Sequence, residues 1–159
     1  MIRLIGVHPN TVAFLDTLAW CEGTSTCKNT LDDGYDIEVG GNRFSDYSEH
    51  PFLNREPFRV NKHLESTAAG RYQFLVKDYR HYQKLLRYDD FSPEFQDAWA
   101  IQLLKETRAL HHVKRGELRE AIDACNRIWA SLPGSPYGQP TKEFYMVRNK
   151  WVEFGGYTV

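Results

Sequence analysis

Glu22 stands in the stretch LAWCEGT, with Leu15, Leu18 and Ala19 at seven, four and three residues before it. That is the spacing of one helical face, so the carboxylate prolongs an apolar stripe. Burial against apolar neighbours disfavours the charged form of an acid, and the negative end of a helix dipole does the same. A carboxyl group kept protonated near neutral pH can give its proton to a leaving oxygen, the general-acid step of glycosidic bond cleavage. On spacing alone a second reading stands beside it, in which Glu22 sits at a frayed helix end in bulk water.

Other reactive side chains are less ordered along the chain. Asp32, Asp33 and Asp36 follow Glu22 by ten, eleven and fourteen residues. One of them could activate water as a second carboxylate, or the three could form a solvated acidic turn before a strand. Cys21 is adjacent to Glu22 but has no His partner nearby in sequence, and reads as a small filler on the helix. Cys21, Cys27 and Cys125 show no CxxC spacing, which fits free thiols in a reducing compartment, although Cys21 and Cys27 flank a loop short enough to let them meet. His50, His63, His81, His111 and His112 show no HExxH or Cys/His ligand spacing, so a zinc amidase is disfavoured and no metal site is expected.

The elements that must position Glu22 can be read from pattern. Asn10 or Thr11 can cap a helix running to about Glu22, and Gly23 is suited to end it. GYDIEVGGNRFSDY alternates Tyr35, Ile37 and Val39 before Gly40-Gly41, which predicts a β-hairpin. From EHPFLNREPFRVNKHL to ESTAAG there is no clear period, with Pro51 and Pro57 inside, so a long loop is expected, finishing in a short third strand. From about Gln73 the chain reads as helical, with Leu75, Tyr79, Tyr82 and Leu86 in one stripe. Ser92-Pro93 opens the next helix. Leu118, Ile122, Cys125, Trp129 and Leu132 make the cleanest stripe, ended by Pro133-Gly134. Phe144, Val147, Trp151 and Phe154 line one side of a last helix. The pattern predicts an α+β fold, a helical lobe plus a small antiparallel β-sheet with a cleft between them.

Composition narrows the function. The chain has 159 residues, 42% apolar and 26% charged, so one globular domain over 1–159 with a proper core is expected. A net charge of −1 without a Lys/Arg stripe speaks against nucleic-acid binding. MIRLIGVHPN is too short, and too broken by Gly6 and Pro9, for a signal peptide or a membrane span, so no stable membrane insertion is expected. The aromatic share of 14% serves the core first, but Tyr-rich loops also suit flat polar ligands such as sugars.

Six blocks in order add a family resemblance: FLDTLAWCEGT, GYDIEVGG, FSDYSEHP, STAAGRYQF, DFSPEFQDAWA and AIDACNRIWASLPGSPYGQ, over roughly residues 13 to 139. They resemble the lambda-type phage endolysins, lytic transglycosylases of the lysozyme superfamily. The resemblance implies a lysozyme-like fold without a separate cell-wall-binding domain, no cofactor and no metal. It implies action as a monomer on peptidoglycan glycan strands, at the β-1,4 bond between N-acetylmuramic acid and N-acetylglucosamine, leaving 1,6-anhydromuramic ends. Such a protein waits in the host cytoplasm and reaches the periplasm and cell wall through a holin lesion.

The resemblance gives Glu22 the catalytic role. It makes GRYQ a groove-lining motif, in which Gly70 permits close backbone approach and Gln73 hydrogen-bonds a sugar or Glu22. Tyr72 is either part of that groove or plain core. Tyr35 would offer ring or hydroxyl to the sugars. Tyr137 and Gln139 in PYGQ would form the lower cleft edge, residues 51–63 the upper one, and Ser66 and Thr67 either touch substrate or only cap a turn. One departure stands out: Asp32-Asp33 occupies the place of an Asn-His pair before Gly-Tyr-Asp. That keeps a hydrolytic lysozyme with a second carboxylate as an alternative, alongside a non-catalytic glycan-binding protein of the same fold.

Overall fold

The computed structural model describes residues 1–158. Its elements run α1 (Pro9–Cys21), β1 (Ile37–Glu38), β2 (Asn42–Arg43), β3 (Phe58–Asn61), β4 (Leu64–Ser66), α2 (Val76–Leu86), α3 (Pro93–Glu106), α4 (Ala109–Arg115), α5 (Leu118–Cys125) and α6 (Phe144–Glu153). The architecture is α+β, a helical lobe with two small antiparallel sheets. One hydrophobic cluster joins the elements, with Leu18, Tyr72, Trp99, Leu104, Ile122 and Trp151 all at 1% exposure or less.

α1 starts earlier than the cap preferences of Asn10 and Thr11 suggest. Pro9 takes the first turn, where its missing N–H costs nothing, and the His8 ring accepts from the Asn10 N–H at 3.2 Å. Asn10 is instead a buried clasp for the C-terminal segment, its side chain bonded to both the N–H and the carbonyl of Tyr157. The helix is buried on nearly every side, beyond the single stripe of Leu15, Leu18 and Ala19, and so runs through the core rather than over it.

β1 and β2 pair as expected, Ile37 opposite Arg43 and Glu38 opposite Asn42, around Gly40 at φ +86°. The segment predicted as loop holds a second hairpin, Phe58 opposite Ser66 and Asn61 opposite Leu64, with a bulge between Arg59 and Asn61. Its sequence conceals it, because most of its residues are exposed on both faces and no one-sided alternation survives. The hairpin is seated by an absence: a Cβ on Gly40 would fall 2.5 Å from the Phe58 ring. Arg55 also pairs with the buried Glu38 of β1. The short strand expected at the end of this segment is β4, and beyond it isolated bridges join Glu38 to Ala69 and Ala69 to Phe74.

In the helical lobe, Ser92 caps α3 as predicted, accepting from Phe95 N–H at 3.3 Å with Pro93 in the first turn. The long stripe from Leu118 to Leu132 is entirely buried, but only its first part is helix. After Cys125 the chain continues in turns that keep Trp129 and Leu132 inward, and Trp129 donates from its indole to the Tyr72 carbonyl at 3.1 Å. The three cysteines are free, so the Cys21–Cys27 pairing is not formed. No helix among the described residues is long and apolar enough to cross a membrane.

Candidate active site

Glu22 is the C-cap of α1, its N–H bonded to the Leu18 carbonyl at 2.9 Å. Two further carbonyls of that last turn are occupied: Gly23 N–H donates to Trp20 and Thr24 N–H to Ala19. The Thr24 hydroxyl also reaches the Arg71 carbonyl at 2.6 Å, tying the helix end to the Gly70–Gln73 turn. The carboxyl is therefore held, not frayed.

It lies in a cleft of about 760 Å³ whose lining includes Val60, Leu64 and Glu65 of the second hairpin, Gln73, Trp129 and Gln139. Burial raises the Glu22 pKa to about 7, opposed by a hydrogen bond from Ser131 Oγ to Oε1 at 2.5 Å. A carboxyl group in that range can be both proton donor and, once ionised, proton acceptor near neutral pH. Beside it burial, then the Glu22 charge, push the Cys21 thiol up to about 12, which leaves no thiolate to act as a nucleophile.

The acidic turn does not reach this cleft. Asp33 pairs with Arg71 Nη1 at 2.7 Å, and Asp16 pairs with Nη2 of the same guanidinium at 2.6 Å. Arg71 is 1% exposed, so these two acids balance a buried cation, and Asp33 takes φ +54° to do so. Asp32 pairs with Arg3 and accepts from the Tyr47 hydroxyl at 2.8 Å. Asp36 is buried and accepts from Thr30 Oγ1 and Leu31 N–H. A solvated turn is therefore the wrong description: it is a set of ion pairs and hydrogen bonds that fastens the N-terminal arm and Arg71. The second carboxylate in the cleft lining is Glu65 on β4, half exposed and paired with Arg59 at 3.1 Å.

Of the residues expected to bind substrate, Gln73 and Gln139 line the cleft with Glu22. Gln73 sits at φ +54°, and its Nε2 donates to the Ile37 and Gly70 carbonyls at 3.2 and 3.0 Å. That fixes the side chain and leaves Oε1 as an acceptor; no bond joins it to Glu22. Ser66 and Thr67 also line the cleft, and each has a local task, Ser66 Oγ accepting from Ala68 N–H and Thr67 Oγ1 from Val76 N–H.

The other expectations are corrected. Tyr35 is fully buried, and its hydroxyl donates to Asp97 Oδ1 at 2.7 Å; burial and that carboxylate hold its pKa far above the ordinary tyrosine value. Tyr72 is core in the same way, donating to the same oxygen at 2.6 Å. Gly70 does permit a close approach, but by Gln96: at φ +81° a Cβ there would fall 2.3 Å from Gln96 Oε1. Tyr137 lines a neighbouring cavity, its hydroxyl donating to the Arg127 carbonyl at 2.9 Å. Sequence reasoning missed Ser131 and Trp129 as site residues. Both lie in the block AIDACNRIWASLPGSPYGQ, where the helical stripe drew attention to packing instead.

Residues 12–158 match the family model described as Endolysin. The chain is 46% identical to the endolysin of Escherichia phage lambda, over 96% of each chain. It is 44% identical to the endolysin of Escherichia phage P2, over 96% of this chain and 97% of that one. Among solved structures, it superposes on bacteriophage lambda lysozyme complexed with a chitohexasaccharide with a TM-score of 0.91 at 45% identity, covering 98% of this chain and all of that one. Another structure of lysozyme from bacteriophage lambda gives 0.86 at 43% identity with the same coverage.

Proposed function

The chain belongs to the endolysin family, with a lysozyme-like fold, and from that premise we propose that it cleaves peptidoglycan as a lytic transglycosylase with Glu22 as its single acid and base. Glu22 gives its proton to the oxygen linking N-acetylmuramic acid C1 to N-acetylglucosamine, and the C1–O bond breaks as the glucosamine leaves with a C4 hydroxyl. The 2-acetamido group assists at C1. The muramic C6 hydroxyl then forms the new bond to C1 and returns its proton to Glu22, which closes a 1,6-anhydro ring and restores the acid. The nucleophile is already tethered to the reacting carbon, so orientation stands in for a bound water.

One observation carries this reading: Glu22 is partly buried in the cleft while Asp32, Asp33 and Asp36 are all committed elsewhere. An enzyme that activates water needs a second carboxylate aimed at the sugar. Here the other carboxylate of the lining, Glu65, is half exposed and neutralised by Arg59. The test is the product. Muropeptides released from purified sacculi should end in 1,6-anhydromuramic acid, lighter by one water and without a reducing end. Reducing muramic ends would move the protein to the hydrolytic class, and an absence of cleavage would leave a glycan-binding protein.

A further inference from the structure

A second cavity, of about 420 Å³, adjoins the cleft and shares Gln73, Leu75, Ile128 and Trp129 with it. The chemistry at Glu22 makes no use of it, and its character differs from a sugar groove. Leu75 and Ile128, 38% and 44% exposed, give it an apolar floor over the buried Phe74–Trp99 stack, whose ring centroids are 4.0 Å apart. Lys77 and Arg127 stand exposed beside that floor, and neither side chain makes an ion pair or hydrogen bond among the described residues. Asp78 is the one acid in the lining.

An apolar floor and two unpaired cations match an acidic peptide and not the glycan itself. The sugars of the strand are uncharged once the lactyl carboxyl of muramic acid is joined to its peptide, so only that peptide brings carboxylates to the site. We propose that this cavity receives the peptide branch of the wall strand whose glycan lies in the cleft, with the peptide's carboxylates on Lys77 and Arg127. Its methyl groups lie on Leu75 and Ile128. This rests on the reading of the cleft as a peptidoglycan site.

The experiment compares sacculi carrying their peptides with the same glycan strands after the peptides have been removed by an amidase, counting new glycan ends per unit time. The wild type should favour the peptide-bearing strands by about tenfold in kcat/KM, the size expected of two exposed charge pairs acting together. The double variant Lys77→Ala, Arg127→Ala should lose that preference and match the wild type on bare strands. The double variant Lys77→Arg, Arg127→Lys should keep most of it. A wild type without preference, a neutral double variant that retains the full preference, or an equal loss on both substrates overturns the proposal. A wild type that cleaves neither substrate overturns it together with the glycan-cleaving reading, and is recognised by the bare strands remaining intact.

Discussion

Two parts of the cleft lining are built differently. Around Glu22 the chain is packed and cross-tied: Trp129 is 3% exposed and bonded to Tyr72, Thr24 grips the Arg71 carbonyl, and Ser131 reaches the Glu22 carboxyl. In β3 and β4, by contrast, only Phe58 and Ser66 are partly covered, and Val60 and Leu64 are each 45% exposed. The first part sets the acidity of Glu22, because only a dense surrounding can hold water off a carboxyl group. The second supplies contact area from a hairpin seated at its base on Gly40 and Glu38. The carboxyl with the raised pKa and the exposed wall opposite it thus lie in regions of unequal packing.

Replacing Glu22 by Gln should have the largest effect, lowering wall lysis by about 10³-fold while the shape of the site is kept. The same variant tests the packed side thermodynamically. The folded pKa of about 7 lies above the ordinary 4.5, so wild-type stability declines as pH rises between those values. Glu22→Gln should therefore be the more stable protein at pH 8, by on the order of 3 kcal/mol at most, and equal to wild type near pH 4. Equal denaturation midpoints at both pH values would show that Glu22 is not desolvated.

An intermediate effect is expected at Ser131. Its hydroxyl lowers the Glu22 pKa, so Ser131→Ala should move the alkaline limb of the pH–rate profile upward, with about a tenfold loss in kcat from a less firmly held carboxyl. An unmoved limb would detach Ser131 from the acid. The smallest effect belongs to the hairpin. Val60→Ser with Leu64→Ser should change stability by only about 0.5 kcal/mol, as exposed substitutions do, and raise KM a few-fold with kcat preserved. A collapse of kcat would mean that the hairpin takes part in the chemistry and that the division between the two parts is false.

The same division explains what could be read from sequence. Glu22 was legible because its signal is local, an acid in register with Leu15, Leu18 and Ala19. The Ser92-Pro93 start of α3 and the Gly40-Gly41 turn were legible for the same reason. Ser131 was not: it meets Glu22 across 109 positions of chain, and nothing in its own neighbourhood marks it. Tyr35 and Gly70 misled, and Tyr72 stayed open between groove and core, because a tyrosine hydroxyl or a bare glycine suits a ligand and a buried polar hub equally well. Here the hubs are Asp97 and Gln96, both fully buried. The β3–β4 hairpin escaped notice because two-sided exposure erases the alternation that reveals a strand.

The bond from Ser131 to Glu22 also has a meaning in time. Ribosomes make the carboxyl early and its enclosure late, since Trp129, Ser131 and Gln139 all follow it by more than a hundred residues. Until that stretch has emerged and docked, the acid is an ordinary surface glutamate, ionised at neutral pH. The raised pKa of Glu22 therefore arrives only with the last third of the polypeptide.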